Sequence, residues 1–263
     1  ESICVYSCSS GGAKGETLFL CACKVIRERG IPVISEIEFA GRYKGVAKTI
    51  CITGSNGKTT TTSLIYKIMR DAGRKVSLGG NIGESFAYSV ATEKNFWYVL
   101  ELSSFQLDGM TKFRADVGVL MNITPDHLDR YDYKFENYAA SKMRITQNQS
   151  SADAFIYSAD DDMTRQMLDK MDSSLRARQL PFAINTAIAS GDGDAVLEGY
   201  TFTASVGKQS VTIDTRKMQI HGMHNIYNAM AAALATLAAG VEPRVIKRSI
   251  YDFSPVEHRL ARK

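Results

Sequence analysis

The chain has 263 residues, of which 44% are hydrophobic and 23% are charged, and this composition is typical of an ordinary globular protein rather than a disordered or fibrous one. Its 32 basic and 28 acidic side chains leave a formal net charge of +4, which suits anionic small molecules but is too weak to indicate nucleic-acid binding. No stretch approaches the ~20 apolar residues of a membrane-spanning helix, so we expect a cytoplasmic protein with no membrane partner.

Roughly the first 25 residues lack clear periodicity and hold most of the cysteines, at Cys4, Cys8, Cys21 and Cys23. The C-x-x-x-C and C-x-C spacings leave a zinc site or disulfides open, although zinc ligands are more often spaced C-x₂₋₄-C in both halves of a site. Because nothing else indicates an oxidising compartment, we expect free thiols in an atypical leader. The fifth cysteine, Cys51, stands alone on a predicted strand.

Beyond the leader, strand-like and helix-like segments alternate, which is typical of an α/β sheet with helices on its faces. A short β-rich run at residues 49–53 precedes apolar residues with helical spacing at 64–72, and Gly73 stands where that helix would end. Near-continuous apolar runs at residues 96–100 and 117–121 are typical of parallel strands covered on both faces.

The second half continues this alternation and then changes character. Residues 154–157 are predicted as a strand and residues 160–171 as a helix. Short alternating runs at 200–203 and 210–213 indicate antiparallel hairpins, and residues 224–239 are strongly helical. The sequence therefore predicts an α/β fold with a mostly parallel sheet flanked by helices and a small antiparallel hairpin region at one edge.

The segment ITGSNGKTTTTS, residues 52–63, contains a Gly-Lys-Thr trio of the kind that holds phosphate. Gly54 comes too late in the chain for the usual G-x-x-x-x-G-K-[ST] loop, whose first glycine would occupy position 52. The order strand, loop, helix is nevertheless the required context, because backbone N–H groups at a helix N-terminus face the anion. Lys58 can add a positive charge and the Thr59 hydroxyl can ligate Mg²⁺. We therefore predict a nucleotide site rather than a chance surface turn.

Polar residues follow two further predicted strands. Glu101 ends the run FWYVL, while His127 and Asp129 lie in NITPDHLD after the run VGVLM. Ligands of open α/β sheets bind at the carboxyl edge of the strands, and a phosphate loop needs a carboxylate near its metal. The alternatives are a solvent-facing glutamate and a structural loop histidine, and we favour metal or substrate contact for Glu101 and His127.

Seven motifs in this order resemble those of the Mur ligases: TGSNGKTT, GGNIG (79–83), ELSSFQL (101–107), NITPDHLDRY (122–131), YAASK (138–142), HNIYNAMAA (224–232) and EHR (257–259). The resemblance runs from about Gly30 to Arg259. The motif ELSSFQL resembles the one found in the branch of the family that adds D-glutamate. The resemblance implies the central, phosphate-loop-containing domain of these enzymes. The short G-x-x-G-K-T loop is the family's own form.

The resemblance implies a nucleotide site made of the phosphate loop and a distant helix. The loop residues that would wrap the ATP phosphates are Gly54, Ser55, Asn56, Gly57, Lys58, Thr59, Thr60 and Thr61. Asn225 and Asn228, which share one helical face, match a pair that contacts the nucleotide. Arg259 matches an arginine that contacts the same ATP.

The resemblance also implies two Mg²⁺ ions, one held by Thr59 and Glu101 and the other by His127 and Lys142. Lys142 matches the family's carbamylated lysine, whose added carboxylate supports the second ion. A buried lysine near cationic neighbours is partly neutral, and only a neutral amine takes up CO₂. From the residues alone, an ordinary solvated helix lysine would be preferred.

The substrate residues implied by the resemblance are Asn81, Ser103 and His127, which would lie along the muramoyl-alanine substrate. Lys58, His127 and Lys142 are the implied catalytic residues. The implied reaction uses ATP to phosphorylate the carboxylate of UDP-N-acetylmuramoyl-L-alanine, and the amine of D-glutamate then attacks the acyl phosphate, in peptidoglycan precursor synthesis. We expect small-molecule partners only and a monomer.

Three segments are predicted: residues 1–32 as a remnant of the N-terminal UDP-binding domain, 33–255 as the central ATP-binding domain, and 256–263 as the start of a C-terminal domain. The cysteine-rich leader replaces a Ser-Pro-Gly-Ile-Pro-like turn of the family, and we expect that it was altered, for example by a frameshift. We also expect no measurable ligation of D-glutamate by residues 1–263 alone.

Other interpretations remain open at this point. The chain could be a sister amide ligase, such as another Mur ligase or a folylpolyglutamate synthetase. It could also be a non-catalytic nucleotide-binding module. A generic phosphate-loop kinase is disfavoured because no lid-like arginine cluster is present in the sequence.

Overall fold

The computed structural model describes residues 3–6, 23, 25–171, 174–188 and 191–254. The strands are β1 (Cys4–Tyr6), β2 (Val33–Ser35), β3 (Lys48–Thr53), β4 (Val76–Gly80), β5 (Trp97–Glu101), β6 (Val117–Leu120), β7 (Ala154–Ser158), β8 (Arg178–Ala183), β9 (Gly193–Glu198), β10 (Thr201–Val206) and β11 (Gln209–Asp214). The α-helices are α1 (Glu36–Gly41), α2 (Lys58–Asp71), α3 (Phe86–Thr92), α4 (Ser104–Asp108), α5 (Phe135–Met143), α6 (Asp162–Met171), α7 (Met223–Ala238) and α8 (Pro243–Tyr251). Within the described part of the chain, none of the helices combines the length and apolar character needed to cross a membrane.

Nine of these strands form one sheet in the order β11-β10-β9-β8-β7-β6-β3-β5-β4. Neighbours from β4 across to β9 are parallel, whereas β9, β10 and β11 are joined as antiparallel hairpins. The predicted fold, a mostly parallel sheet flanked by helices with an antiparallel edge, is confirmed. The arrangement places the carboxyl ends of β3, β5, β6 and β7 along one edge of the sheet.

Both faces of the sheet are covered, and β3 shows how the sequence achieves this. Ile50 and Ile52 are fully buried in the core that includes residues of α2, α7 and α8. Cys51, between them, is fully buried in the opposite core, with residues of α1, α3, α4 and α5. Side chains of a strand alternate between its two faces, so the centre of a strand buried on both sides is a continuous apolar run, here residues 50–52.

The helix predicted at 160–171 begins two residues later, at Asp162. The carboxylate of Asp161 accepts the backbone N–H of Thr164 across 2.9 Å, which is the bond that an N-cap residue makes. Asp160 and Asp161 therefore precede the helix instead of belonging to it.

A second, two-stranded parallel sheet pairs β1 with β2 across the predicted boundary between residues 32 and 33. The hydroxyl of Tyr6 in β1 donates to the carbonyl oxygen of Phe105 in α4 at 2.6 Å, and the N–H of Ser35 donates to the carbonyl of Gly109 at 3.0 Å. A Cβ on Gly109 would collide with the Tyr6 hydroxyl and with Ser35, so this close approach requires glycine.

Three cysteines lie within the described residues, and all three are free thiols: Cys4, Cys23 and Cys51. Cys8 and Cys21 lie outside the described residues, so the spacing argument for a zinc site or a disulfide stays an untested alternative.

Candidate active site

The phosphate loop connects β3 to α2 at the carboxyl edge of the sheet. Gly57, the residue before the helix, has φ of +83°, a left-handed conformation that side chains disfavour. A Cβ at this position would lie 2.6 Å from Oδ1 of Asn228, so α7 approaches the loop closely. No side chain among the described residues caps the first turn of α2. Its free N–H groups and the positive end of the helix dipole are suited to an anion.

Two residues of the loop after β6, Asn122 through its side chain and Thr124 through its backbone, hold the phosphate loop in place. The Ser55 hydroxyl donates to the Thr124 carbonyl and accepts the Thr124 N–H, both at 2.9 Å. The side chain of Asn122 accepts the Asn56 N–H at 2.9 Å and donates to the Asn56 carbonyl at 3.1 Å. These four bonds fix the loop without using the N–H groups at the start of α2.

Lys58 is folded back onto its own loop. Its amine nitrogen donates to the carbonyl oxygens of Gly54 and Ser55 at 2.7 and 2.9 Å. Burial lowers the pKa of Lys58, while the charges of Glu101 and Asp126 act in the opposite direction. The amine must leave these carbonyls in order to reach a phosphate group.

Glu101 joins the phosphate loop to the segment after β4. It is the last residue of β5 and is 2% exposed, so the alternative of a solvent-facing glutamate is wrong. Its Oε2 accepts the Thr59 hydroxyl at 2.8 Å, and its Oε1 accepts the side-chain N–H of Asn81 at 3.0 Å. The backbone N–H of Asn81 also donates to the Glu101 carbonyl at 2.8 Å. Three residues predicted for the site are thus brought together around one carboxylate.

Lys142 lies in α5 and is 2% exposed, so the alternative of a solvated helix lysine is wrong. Its amine nitrogen donates to the carbonyl of Gly54 at 2.9 Å and lies 4.6 Å from the centre of the Tyr138 ring. Burial, followed by the nearby charge of Lys58, lowers the pKa of Lys142 to about 7. A large fraction of this amine is therefore neutral at physiological pH.

His127 differs from these residues because its side chain is 53% exposed. Its backbone is in the left-handed region, with φ of +49°, and its imidazole lies 3.5 Å from a carboxylate oxygen of Asp126. Its ring contacts Phe105 edge-on, with 5.4 Å between centroids. The imidazole is thus presented at the surface beside the loop that Asn122 and Thr124 anchor.

The two predicted nucleotide asparagines lie in the first turns of α7. Asn228 is buried, and its Oδ1 accepts the Thr61 hydroxyl of α2 at 3.2 Å. Its side-chain N–H donates to Oδ1 of Asn225 at 3.2 Å. The structure thus brings Asn228 against the phosphate-loop helix, although it is 167 positions from Thr61 in the sequence.

The positions of the remaining predicted residues, Ser103, Thr60 and Arg259, give no support for a role in ligand binding. Ser103 caps α4 in a reciprocal capping box with Gln106, which gives its side chain a structural role. Thr60 lies half-buried in the first turn of α2. Arg259 lies outside the described residues.

Two site residues quoted in the motifs had no role assigned from sequence. The hydroxyl of Tyr138 lies 3.3 Å from the Ser55 hydroxyl, and its ring lies beneath the amine of Lys142. Its position four residues before Lys142, on the same helix face, could have signalled this. Asn122 holds Asn56 from both sides, but nothing in the sequence distinguishes it from other loop asparagines.

The oxygen ligands offered by Glu101 and Thr59 are suited to a magnesium ion, because Mg²⁺ is usually held by one or two carboxylates together with substrate phosphates and water. The carboxylate of Glu101 and the hydroxyl of Thr59 supply hard oxygen atoms. Among the residues that the structure describes, no three His, Cys, Asp or Glu side chains are grouped as a metal cluster. At the second predicted position, His127 offers a nitrogen ligand, and Lys142 would become an oxygen ligand only after gaining a carboxylate.

Comparison with known proteins identifies the family of the chain. The profile of the Mur ligase middle domain matches residues 52–236. A UDP-N-acetylmuramoylalanine-D-glutamate ligase of Bacteroides fragilis is 52% identical over 235 residues, covering 89% of this chain and 51% of that protein. A protein of the same name from Porphyromonas gingivalis is 43% identical over 264 residues, covering 95% of this chain and 58% of that protein. The chain thus spans a little more than half the length of these relatives.

Solved structures share the fold at low sequence identity. A UDP-N-acetylmuramoyl-L-alanyl-D-glutamate-2,6-diaminopimelate ligase superposes with a TM-score of 0.65 at 19% identity, over 84% of this chain and 54% of that one. A UDP-N-acetylmuramate:L-alanyl-gamma-D-glutamyl-meso-diaminopimelate ligase from Neisseria meningitides superposes with a TM-score of 0.64 at 17% identity, over 95% of this chain and 78% of that one. The profile match and the close sequence relatives together show that the chain belongs to the Mur ligase family.

Proposed function

We propose that this chain is the ATP-binding core of a ligase that joins D-glutamate to UDP-N-acetylmuramoyl-L-alanine in peptidoglycan precursor synthesis. The observation that carries the proposal is the junction at Glu101, where one buried carboxylate joins Thr59 of the phosphate loop to Asn81 of the GGNIG segment. The names of the Bacteroides and Porphyromonas relatives support D-glutamate as the incoming amino acid.

The phosphate loop binds and orients the ATP triphosphate in this proposal. The uncapped first turn of α2 supplies N–H groups to the phosphate oxygens, and Lys58 supplies a positive charge once it leaves the Gly54 and Ser55 carbonyls. The substrate carboxylate attacks the terminal phosphorus, which forms an acyl phosphate and releases ADP. The amine of D-glutamate then attacks the acyl carbon, and inorganic phosphate leaves. The protein contributes mainly positioning and charge stabilisation.

Magnesium supplies charge neutralisation on the phosphate oxygens when it is bound, and two ions are proposed. Glu101 and Thr59 would hold one ion. His127 and Lys142 would hold the other, with Lys142 carrying a carboxylate gained from CO₂. The neutral fraction of the Lys142 amine, which follows from its burial and from the neighbouring Lys58, supports this modification. Asn225, Asn228 and Arg259 are proposed to contact the nucleotide, and Asn81, Ser103 and His127 the muramoyl-alanine substrate.

The decisive experiment grafts this chain into the Bacteroides fragilis relative, in place of the 235 residues that match. Phosphate release from Mg-ATP is measured with UDP-N-acetylmuramoyl-L-alanine, with and without D-glutamate. Release that depends on D-glutamate is the expected result. Release only with another amino acid, such as 2,6-diaminopimelate, would identify a sister ligase instead. Calorimetric binding of ATP without any phosphate release would identify a non-catalytic nucleotide-binding module.

A further inference from the structure

Two consecutive aspartates after β7 bond different parts of the proposed site: Asp160 bonds the helix α7, and Asp161 bonds the loop after β6. One carboxylate oxygen of Asp160 accepts the hydroxyl of Tyr227 and the backbone N–H of Ile184, each at 2.6 Å. The N–H of Asn185 donates to both carboxylate oxygens at 3.2 Å. Asp160 therefore joins the chain that leaves β8 to the helix α7.

The bond from Tyr227 to Asp160 matters because of where Tyr227 lies in α7. Tyr227 lies between Asn225 and Asn228, the pair proposed to contact the nucleotide. No described side chain caps the start of α7, which follows Gly222. Without a cap, the orientation of the first turns depends on side-chain contacts to other elements. Those contacts include the Tyr227 bond to Asp160, the Asn228 bond to Thr61 and the packing of the Tyr227 ring against Phe182.

Asp161 makes a similar contact to the loop after β6, which braces the phosphate loop. Its two carboxylate oxygens each lie 3.2 Å from the backbone nitrogen of Ile123, which donates to them. Ile123 is buried and lies directly after Asn122, the residue that holds Asn56 of the phosphate loop. The same carboxylate caps α6 through Thr164. Asp161, which follows β7, therefore holds the loop after β6, and that loop contains His127.

We propose that Asp160 and Asp161 are positioning residues for nucleotide binding: Asp160 orients the Asn225–Asn228 pair through Tyr227, and Asp161 holds the loop that braces the phosphate loop through Ile123. This inference rests on the proposed function, because it assumes that the asparagine pair contacts ATP. Neither aspartate touches the nucleotide or the reacting atoms.

The electrostatics of Asp160 agree with a strongly held carboxylate. Burial alone raises its pKa, but the N–H groups of Ile184 and Asn185 and the hydroxyls of Thr186 and Tyr227 outweigh that effect, and the pKa is lowered. Burial and the bond to Asp160 raise the pKa of Tyr227. Both shifts keep a charged acceptor opposite a neutral donor, which is the stronger form of a hydrogen bond.

The test compares Tyr227→Phe with Tyr251→Phe in the 263-residue chain. Each substitution removes one hydroxyl, and the Tyr251 hydroxyl is bonded to the backbone of Asp214, on the edge strand β11. We expect Tyr227→Phe to weaken binding of Mg-ATP about five- to tenfold by calorimetry, with thermal stability lowered no more than in Tyr251→Phe. Tyr251→Phe should leave the affinity for Mg-ATP unchanged.

Two further variants separate positioning from general stability. Asp160→Asn should speed amide hydrogen exchange in residues 224–228 and weaken Mg-ATP binding. The effect of Asp160→Asn on Mg-ATP binding should largely disappear in a Tyr227→Phe background, because both variants weaken the contact between Asp160 and α7. Asp161→Asn should instead speed exchange at Ile123 and leave residues 224–228 unchanged.

The outcomes distinguish this inference from the function on which it rests. If the parent chain has no affinity for Mg-ATP, the proposed function fails and this inference fails with it. If the parent binds Mg-ATP but Tyr227→Phe binds equally well, only the positioning role is overturned. Equal losses of stability and affinity in Tyr227→Phe and Tyr251→Phe would show a structural role alone, which also overturns the proposal.

Discussion

The amine nitrogen of Lys142 lies 2.9 Å from the carbonyl oxygen of Gly54, at the start of the phosphate loop. Lys58 donates to the same oxygen at 2.7 Å, so one carbonyl accepts two lysine amines. Burial lowers the pKa of both amines, and the positive charge of Lys58 lowers the pKa of Lys142 further. The arrangement is easier to maintain when one amine is neutral, and Lys142 is the more deeply buried of the two.

Replacement of Lys142 by methionine should change the free energy of unfolding in a pH-dependent way. The pKa of Lys142 is about 7 in the fold, below the ordinary lysine value of 10.5. Below pH 7 both states bind the proton, and the buried charge destabilises the fold. Between pH 7 and 10.5 the unfolded state binds more protons, so the parent gains stability as pH rises. The stability of Lys142→Met relative to the parent should therefore be greatest below pH 7 and fall by a few kcal/mol toward pH 10.

Urea unfolding at pH 6.5 and pH 9.5 measures this difference. Lys170→Met, at an exposed position of α6, is the control, and its difference from the parent should be the same at both pH values. A pH-independent difference for Lys142→Met would show that the amine is charged throughout this range.

Glu101→Gln should weaken binding of Mg-ATP by about tenfold or more, because it removes the negative charge proposed to hold magnesium. Binding of ATP in the presence of a chelator should change much less. Calorimetry with and without Mg²⁺ measures both effects. Glu93→Gln is the control, since Glu93 is an exposed carboxylate bonded to Ser77 and should not affect either affinity. Equal losses with and without Mg²⁺ would argue against a metal at Glu101.

Gly57→Ala should abolish measurable nucleotide binding, whereas Gly73→Ala should not affect it. Both glycines have positive φ, at +83° and +70°, so both substitutions carry a backbone cost of roughly 1 kcal/mol. Only at Gly57 would the new Cβ also meet a neighbour, Oδ1 of Asn228 at 2.6 Å, while the space around Gly73 is open. Calorimetry and thermal unfolding of the two variants separate backbone strain from the clash. Retained binding in Gly57→Ala would show that α7 can move away without loss.

Glu38→Gln should lower the free energy of unfolding by about 2–4 kcal/mol at pH 7. The side chain is completely buried, and one carboxylate oxygen accepts the backbone N–H groups of Thr111, Lys112 and Phe113, while the other accepts Arg42. A glutamine must turn its N–H₂ group toward one of these donors.

The pH dependence of Glu38 provides a second measurement. Burial raises its pKa, but the three backbone N–H groups outweigh burial, and the pKa is lowered from the ordinary glutamate value of 4.5. The carboxylate therefore stabilises the fold above pH 4.5, and this contribution is lost as pH falls through the folded pKa. The gap between parent and Glu38→Gln should narrow below pH 4.5. Glu242→Gln, at an exposed ion pair, should show no comparable gap at pH 7.

The centre of the fold was predictable because its strands are buried on both faces. The runs at 96–100 and 117–121 correspond to β5 and β6, and the loop between β3 and α2 could be located from its Gly-Lys-Thr trio. The strand β4, with the sequence VSLGG, was not predicted because it is short and ends in two glycines. The strand β8 was not predicted because it contains Pro181, which usually marks the absence of a central strand.

The site was predictable where a residue of suitable chemistry stands at the end of a predicted strand or the start of a predicted helix. Glu101 and Lys58 stand at a strand end and a helix start, and their roles at the site remain predictions that the geometry supports. The bonds of Asp160 to Tyr227 and of Asn228 to Thr61 were not predictable, because they join segments that are far apart in sequence. The burial of Lys142 could not be inferred from α5, because the apolar residues of its sequence FENYAASKM are not concentrated on one clear face of the helix.

The bond from Tyr6 to Phe105 makes the predicted boundary at residue 33 a poor place to cut the chain. A recombinant domain that starts there would lose β1, leave β2 as an unpaired edge, and remove a partner from α4. That helix carries Phe105, against which the His127 imidazole rests. Expression of the nucleotide-binding core in isolation should therefore begin no later than Ile3.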